Sequence, residues 1–286
     1  MKILVTGGLG FVGSNLVDKL VDEHEVHVLD DLSSESASLK YNNLKANLII
    51  GKVEDINKIF IGHKFDKIFH LAAKARIQPS FENPIEYFNS NALGTSEVME
   101  FARISKSGIV VYATTSSKNH GSNYITPYTY SKVIGEGILK MYSHCFEINC
   151  AMATFYNVYG NREPSEGEWA TVVAKFKRQW ENKEPITVVG DGQQSRDFTH
   201  VDDICEGLIK ISEGNWKADN FDLGRGEPIK IIDLALNICN GEEDNIKFVP
   251  LRKNEGQHTK ADIEFTFKRI NWKAQKDLIY YINKNK

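Results

Sequence analysis

The sequence has few cysteines, no long apolar run and no excess of positive charge, and each absence excludes a class of protein. The four cysteines in 286 residues include no C-x-x-C pair, so we expect buried thiols in a reduced, cytoplasmic protein and no metal site. No apolar run approaches the roughly 18 residues that span a bilayer. The net charge of −3 gives no electrostatic basis for a nucleic-acid or membrane partner.

Short β-branched runs alternate with helical patterns through the first half of the chain. The predicted strands are Ile3–Thr6, Val26–Leu29, Leu48–Ile50, Lys67–Leu71 and Ile109–Ala113. The predicted helices are Phe11–Val21, Ile85–Ile104 and Tyr128–Phe146. This alternation predicts an α/β fold of the Rossmann type, a doubly wound parallel sheet with helices on both faces. Ligands of such sheets bind beyond the carboxyl ends of the strands.

A glycine-rich turn follows the first predicted strand, in the stretch MKILVTGGLGFVGSNL. Gly7, Gly10 and Gly13 allow the backbone to approach a pyrophosphate, whose charge meets the N-terminus of the next helix. A plain strand-to-helix corner is the alternative interpretation. Asp30 favours the dinucleotide, because it lies about 20 residues later, where a carboxylate can accept hydrogen bonds from a ribose diol. Its charge would repel a 2′-phosphate, which favours NAD over NADP.

A tyrosine and a lysine lie one helical turn apart in the stretch TPYTYSKVIGEG. Tyr128 has an ordinary pKa near about 10, and a neighbouring cation such as Lys132 or a nicotinamide would lower that pKa. The phenolate can then take a proton from a sugar or alcohol hydroxyl as hydride leaves the same carbon. Ser116 follows the fifth predicted strand and can hydrogen-bond the same oxygen. An exposed Tyr-x-x-x-Lys pair without function is the alternative.

The alternation of strands and helices loosens after about Asn157. We expect residues 1–156 to form an NAD-binding Rossmann domain, to which residues 186–222 return. Residues 157–185 and 223–286 are expected to form a smaller C-terminal substrate-binding lobe. The stretch Pro164–Glu168 is predicted to be a surface loop.

These motifs resemble those of the extended short-chain dehydrogenases/reductases, in the nucleotide-sugar epimerase/dehydratase family, and are most similar in pattern to UDP-glucose 4-epimerases. The resemblance covers nearly the whole chain. It includes TGGLGFVGSNL, the HLAA of His70–Ala73, the NALGT of Asn91–Thr95, FYNVYG from Phe155, GDGQQSRDFTHVDDI from Gly190, and DLGRGEP from Asp222. The GDG-x-x-x-RDF stretch is highly specific to this family.

The resemblance implies roles for individual residues. The catalytic residues would be Ser116, Tyr128 and Lys132. NAD would be bound by Gly7, Gly10, Phe11, Val12, Gly13, Asp30, Asp31, Leu71, Ala72, Ala73, Asn91, Tyr128, Lys132 and Phe155. The nucleotide diphosphate of the substrate would be bound by Asn157, Arg196 and Arg252, because a guanidinium binds phosphate oxygens bidentately. Arg196 could instead form a surface ion pair with Asp197.

Three positions depart from the family pattern. Lys52 replaces an acidic residue near the adenine, and the segment between Gly121 and Tyr128 is short, which removes part of a loop that borders the sugar. Ser117 and Lys118 occupy the positions of the Asp-Glu pair of sugar 4,6-dehydratases. Dehydration needs an acid for the departing hydroxyl and a base for the C5 proton, and this pair supplies neither.

The sequence therefore predicts an NAD-dependent nucleotide-sugar C4-epimerase that acts through a transient 4-keto sugar. A dehydrogenase or reductase on a related nucleotide sugar, or a 4,6-dehydratase-like enzyme, is the enzymatic alternative. A catalytically silent NAD-binding regulatory protein is the alternative from another class, since fold does not fix function.

Two further expectations follow from the same resemblance. Thr259 occupies the position that sets the width of the sugar pocket in related epimerases, and its small side chain would admit N-acetylhexosamines as well as hexoses. The helices Ile85–Ile104 and Tyr128–Phe146 resemble those that pair across a two-fold axis, and apolar residues on more than one face predict a homodimer.

Overall fold

A seven-stranded parallel sheet lies at the centre of the fold. The computed structural model describes residues 1–34, 36–119, 126–167, 169–251 and 257–284. The strands of the sheet are β1 (Lys2–Thr6), β2 (Glu25–Asp30), β3 (Asn47–Ile50), β4 (Lys67–His70), β5 (Ile109–Thr115), β6 (Cys150–Phe155) and, later in the chain, β11 (Lys217–Leu223). Their order across the sheet is β11-β6-β5-β4-β1-β2-β3, and each neighbouring pair runs parallel. The predicted α/β class is thereby confirmed.

Helices cover both faces of this sheet. They are α1 (Phe11–Leu20), α2 (Ile56–Ile59), α3 (Gln78–Glu82), α4 (Pro84–Tyr87), α5 (Gly94–Ser105), α6 (Pro127–Phe146) and α8 (Val201–Ile211). Successive residues of β1 point to opposite faces, so Ile3 packs in the core beneath α1 and α8, and Leu4 packs in the core beneath α5 and α6. The near-continuous apolar strands follow from this burial on two sides.

The predicted helix over Ile85–Ile104 is interrupted. The structure has α4, then a π-helical turn at Phe88–Leu93, then α5. The turn places the side chain of Asn91 inside the protein, where it is fully buried, and this tertiary contact is invisible to a count of apolar spacing. Single π-turns are frequent at functional sites.

A second lobe lies beside the carboxyl ends of the sheet strands. It contains β7 (Val158–Tyr159), α7 (Val172–Glu181), β8 (Ile186–Val189), β9 (Ser195–Arg196), β10 (Thr199–His200), β12 (Ile229–Lys230), α9 (Ile231–Ile238), β13 (Ile246–Val249) and α11 (Leu278–Lys284). The helix α10 (Ile263–Ile270) packs against β11 of the central sheet. The strand β8 pairs with β13, because Ile186 and Val188 are buried against α7 and α9. Of residues 186–222, β11 joins the central sheet and β8 lies in a separate two-stranded sheet, and the expected division of the chain into two domains stays a prediction.

Three of the four cysteines are buried as expected, and Cys145 is exposed. Among the described residues, no helix is both long enough and apolar enough to cross a membrane.

Candidate functional site

The turn between β1 and α1 forms a close-packed cradle. Gly7 has a φ of +71°, and a Cβ at this position would lie 2.7 Å from the backbone nitrogen of Ala72. A Cβ on Gly13 would lie 2.1 Å from the carbonyl oxygen of Gly7, so both positions require glycine. Gly10 precedes α1 without a side-chain hydrogen bond to the first turn, which contains no acidic residue. The N-terminus of α1 can therefore receive an anion.

Asp30 ends β2 next to this cradle. Its carboxylate accepts hydrogen bonds from the backbone amides of Leu9 at 3.0 Å and Leu32 at 2.9 Å. Burial raises the pKa of Asp30, and the two amide hydrogen bonds oppose that shift. The carboxylate is thus held in a fixed orientation, with acceptor capacity left for a ligand hydroxyl.

A cavity of about 230 Å³ opens between the glycine turn, the end of β2 and the start of α6. It brings together nearly all of the residues that the sequence assigned to the cofactor. They are Gly7, Gly10, Phe11, Val12, Gly13, Asp30, Asp31, Leu71, Ala72, Ala73, Tyr128, Lys132 and Phe155. Pro164 also lines it, so the loop that begins there is not only a surface loop; Glu168, at its end, lies outside the described residues.

Asn91 does not line this cavity, because its side chain is fully buried. Its amide oxygen accepts from the backbone nitrogen of Lys74 at 2.8 Å, and its amide nitrogen donates to the carbonyl of Lys74 and to Ser131, both at 2.9 Å. In the structure Asn91 holds the loop that follows β4, and its expected contact with the cofactor stays a prediction. Lys52, the departure near the adenine, precedes α2 and lines neither cavity.

A second cavity of about 410 Å³ lies against the first, between the sheet and the second lobe. Among the predicted residues, Ser116, Tyr128, Asn157 and Arg196 line it. The two cavities share Ala75, Arg76, Thr114, Tyr128 and Phe155. Tyr128 therefore lies at the junction, where a group in one cavity can meet a group in the other.

The start of α6 positions Tyr128. Pro127 occupies the first helical position, and the hydroxyl of Thr126 accepts a hydrogen bond from the backbone nitrogen of Thr129 at 3.0 Å. This cap fixes where the helix begins, and hence which residue lies in its first turn. The ring of Tyr87 packs edge-on against that of Tyr128, with 6.2 Å between the centroids.

Burial dominates the electrostatics of Tyr128. It raises the pKa of the phenol, while a hydrogen bond from Thr115 and the charge of Arg76 act in the opposite direction. The expectation that Lys132 lowers this pKa is corrected, because the cation that acts on the phenol is Arg76. Neither Arg76 nor Thr115 belongs to a sequence motif, and the one signal for them is that Arg76 lies in the loop after β4 and that Thr115 ends β5.

Lys132 is buried one turn further along α6. Burial lowers the pKa of its ammonium to about 7, against the attraction of Glu136. The Nζ atom lies 4.2 Å from the centre of the Tyr112 ring, a cation–π contact. Glu136 in turn accepts a hydrogen bond from Thr114 at 2.5 Å and forms a salt bridge with Lys118 at 2.7 Å.

The remaining predicted residues differ in how far the structure supports them. Arg196 donates from Nη1 to the carbonyls of Ser195 at 2.9 Å and Gln257 at 3.2 Å. Asp197 is fully buried and accepts from the backbone amides of Arg225, Gly226 and Ala261, so a surface ion pair of Arg196 with Asp197 is excluded.

The structure does not place Arg252, Thr259 or the short segment before Tyr128 at either cavity. Arg252 and the segment 121–125 lie outside the described residues. Thr259 is buried, lines neither cavity, and accepts a hydrogen bond from the backbone nitrogen of Asp197 at 3.2 Å. Its role in setting the width of the sugar pocket stays a prediction.

Comparison with known proteins gives a consistent result. Residues 3–224 match the NAD-dependent epimerase/dehydratase family. A UDP-glucose 4-epimerase of Mycolicibacterium smegmatis is 30% identical over 298 residues, covering 96% of this chain and 94% of that one. The crystal structure of the Thermotoga maritima UDP-glucose 4-epimerase with UDP-glucose superposes with a TM-score of 0.91 at 27% identity, covering 100% and 99% of the two chains. A UDP-N-acetylglucosamine 4-epimerase from Methanobrevibacter ruminantium, in complex with UDP-N-acetylmuramic acid, has a TM-score of 0.88 at 25% identity, covering 100% and 99%.

Proposed function

The chain belongs to the NAD-dependent epimerase/dehydratase family, and on that premise we propose that it is a nucleotide-sugar C4-epimerase. The observation that carries the proposal is the position of Tyr128, which lines both the cofactor cavity and the larger second cavity. A proton acceptor at that junction can act on a sugar hydroxyl whose carbon faces the cofactor.

The first cavity fits NAD. The glycine cradle and the uncapped N-terminus of α1 suit a pyrophosphate, and the oriented carboxylate of Asp30 suits a ribose diol. When bound, NAD would supply the acceptor and the donor of hydride at C4 of the sugar. Lys132 lines the same cavity, where its ammonium can donate to the nicotinamide ribose.

In the proposed reaction Tyr128 accepts the proton of the 4-hydroxyl group, and Ser116 donates a hydrogen bond to the same sugar oxygen. The resulting 4-keto sugar rotates within the second cavity and presents its other face. Tyr128 then returns the proton to the oxygen at C4. Arg196, which lines the second cavity, binds the diphosphate and keeps the nucleotide in place while the sugar turns.

The arrangement around Lys118 favours epimerisation over dehydration. Its ammonium pairs with Glu136 at 2.7 Å and lines neither cavity, so it cannot remove a proton from C5. Ser117 lines the second cavity, but a serine hydroxyl is too weak an acid to protonate a departing hydroxyl group.

Incubation with a panel of UDP-, dTDP-, GDP- and CDP-linked hexoses and N-acetylhexosamines, followed by separation of the products, tests the proposal. We expect interconversion of a pair of sugars that differ only at C4, without net change in the absorbance of reduced nicotinamide. Accumulation or consumption of NADH would identify a dehydrogenase or reductase, and a 4-keto-6-deoxy product would identify a dehydratase. Wild-type protein that binds NAD but converts no sugar would favour a regulatory protein.

We further propose that the enzyme is a homodimer that acts in the cytoplasm. All four cysteines are free thiols, which suits a reducing compartment. Helices α5 and α6 pack together and carry exposed apolar side chains that a second copy of the chain would cover.

A further inference from the structure

Arg76 lies in the loop after β4 with a backbone conformation that is unfavourable for arginine. Its φ is +90°, a region that residues other than glycine rarely adopt. The loop is held there by Tyr87, whose hydroxyl donates to the carbonyl of Ala75 at 2.9 Å, and by the Nη2 atom of Arg76, which donates to the carbonyl of Trp169. Strained backbone of this kind persists where the surrounding contacts impose it, and it is concentrated at functional sites.

The guanidinium of Arg76 is a poorly compensated charge. Its Nε atom is buried without a hydrogen-bond partner, and among the described residues no carboxylate lies within ion-pair distance of it. Burial lowers the pKa of Arg76, and the groups that oppose this shift are Tyr128, Tyr87 and Glu163, in that order. A buried cation without a counter-anion is costly, and an anion that forms beside it during the reaction would be stabilised.

The phenolate of Tyr128 is such an anion. Both side chains line the junction of the two cavities, and the ring of Tyr87, which anchors the loop of Arg76, packs on the ring of Tyr128. We infer that Arg76 is a positioning residue that stabilises the phenolate of Tyr128. This inference rests on the proposed epimerase function.

The step is a proton transfer. The O–H bond of the sugar hydroxyl breaks, the O–H bond of the phenol forms, and the phenolate loses its negative charge while the guanidinium keeps its own. The cation therefore stabilises the form of Tyr128 that accepts the proton. Removing it should raise the pH at which the base becomes available.

Other titratable groups near Arg76 and Tyr128 could also shift the pH profile, so their contributions must be measured separately. Glu163 faces Arg76, and burial raises its pKa to about 7, so it titrates near the working pH. Lys132 is attracted by Glu136 and faces His70. The variant Glu163→Gln removes the titration of this carboxyl group and keeps Arg76. We expect the acid limb of the pH profile of turnover to be unchanged in this variant.

The test compares Arg76→Gly with Arg76→Lys and Arg162→Gly. Glycine suits the positive φ of Arg76, so this variant removes the guanidinium and relaxes the backbone together. Arg162 is a matched control, because it also has a positive φ, of +65°, and its guanidinium is paired with Asp18 at 2.6 Å. It lines neither cavity.

The first measurement is the ultraviolet titration of the phenol in NAD-saturated protein, as the difference between each protein and its Tyr128→Phe counterpart. We expect the titration of Tyr128 to move up by about one pH unit in Arg76→Gly, to move less in Arg76→Lys, and not to move in Arg162→Gly. This reading needs no turnover, so it tests Arg76 even if the protein converts none of the sugars. An unchanged titration in Arg76→Gly overturns the inference.

The second measurement is the pH profile of turnover together with the melting temperature. In Arg76→Gly the acid limb of kcat should move with the phenol titration, KM should stay within about threefold, and the melting temperature should be equal to that of the wild type or higher. A raised KM with an unmoved acid limb would show that Arg76 binds substrate and would overturn the inference. A lowered melting temperature with an unmoved acid limb would show a purely structural role and would overturn it as well.

Discussion

At the scale of single residues, the site contains a phenol and an ammonium whose pKa values are both moved by burial, in opposite directions. The pKa of Tyr128 is raised, and the pKa of Lys132 is lowered to about 7. Burial disfavours the charged form of each group, so both side chains ionise less readily than they would in water. Neighbouring charges act against this effect of burial, Arg76 on the phenol and Glu136 on the ammonium.

Replacing Tyr128 by phenylalanine should abolish turnover and spare cofactor binding. The change deletes the proton acceptor and keeps the ring that packs on Tyr87. We expect less than about a tenth of the wild-type rate, measured by product separation, with an unchanged NAD dissociation constant. A variant that keeps more activity than this would show that another group is the base.

The buried ammonium of Lys132 should make the stability of the protein depend on pH. Its folded pKa of about 7 lies below the ordinary value of 10.5, so between these pH values the unfolded chain binds one more proton. The free energy of unfolding should therefore rise with pH from about 7 to about 10, by several kcal/mol at most. In Lys132→Met this contribution is absent, so urea unfolding at several pH values should show the rise in the wild type only. Parallel curves for the two proteins would contradict the burial of this charge.

Asp30 should determine the choice between NAD and NADP. A 2′-phosphate would lie against its carboxylate and be repelled, so we expect NAD to bind more tightly in the wild type. The variant Asp30→Asn removes the charge and keeps one of the two acceptor oxygens that bind the amides of Leu9 and Leu32, and it should narrow the difference in affinity between NAD and NADP. Calorimetric titration of both cofactors measures this, and equal affinities in the wild type would refute the assignment.

At the scale of secondary structure elements, the π-helical turn at Phe88–Leu93 joins the loop after β4 to α6. The side chain of Asn91, in this turn, forms hydrogen bonds with the backbone of Lys74 and with Ser131. The backbone carbonyl of Asn91 accepts a hydrogen bond from the hydroxyl of Thr95. The loop that it holds includes Ala72 and Ala73 of the cofactor cavity and leads to Arg76. A local change in helical pitch thus positions residues of both cavities.

Loss of this connection should destabilise the fold. Asn91→Ala would remove three hydrogen bonds of a fully buried side chain and leave the amide and the carbonyl of half-buried Lys74 without these partners, at a cost of about 2–3 kcal/mol in the free energy of unfolding. Asn237→Ala is the control, because that half-buried side chain donates its hydrogen bond to the carbonyl of Asp233 in its own helix; it should change stability by less than about 0.5 kcal/mol. Equal effects of the two variants would contradict the role of Asn91.

At the scale of the whole molecule, the two cavities share residues around the start of α6, and α6 also packs against α5. These helices carry the exposed apolar side chains Ile104, Met141 and Phe146. Exposed apolar surface on two adjacent helices is typical of a subunit interface.

The homodimer should therefore depend on this surface. Light scattering at micromolar concentration should give twice the mass of the chain, and Met141→Arg should shift the mass toward that of one chain. Phe248→Arg is the matched control, since Phe248 is also an exposed apolar residue but lies on β13 of the second lobe. A monomeric wild type would contradict the proposal.

The sequence by itself determined those features that short patterns encode. The strands β1 to β5 and the turn with Gly7 and Gly13 follow from local spacing, and Asp30 follows from its distance to that turn. The spacing of Tyr128 and Lys132 is likewise a property of one helix. Such features need no knowledge of which distant segments meet, because strand period, helix period and turn chemistry act over a few residues.

The tertiary structure decided which distant residues share an environment. It placed Arg76 with Tyr128 at the junction of the cavities, turned Lys118 toward Glu136, and assigned β8 to the second lobe. It also set the pKa values, because desolvation and neighbouring charges exist only once the chain has packed. Charge, unlike periodicity, acts through space, and its consequences for the base at Tyr128 are therefore a property of the folded molecule.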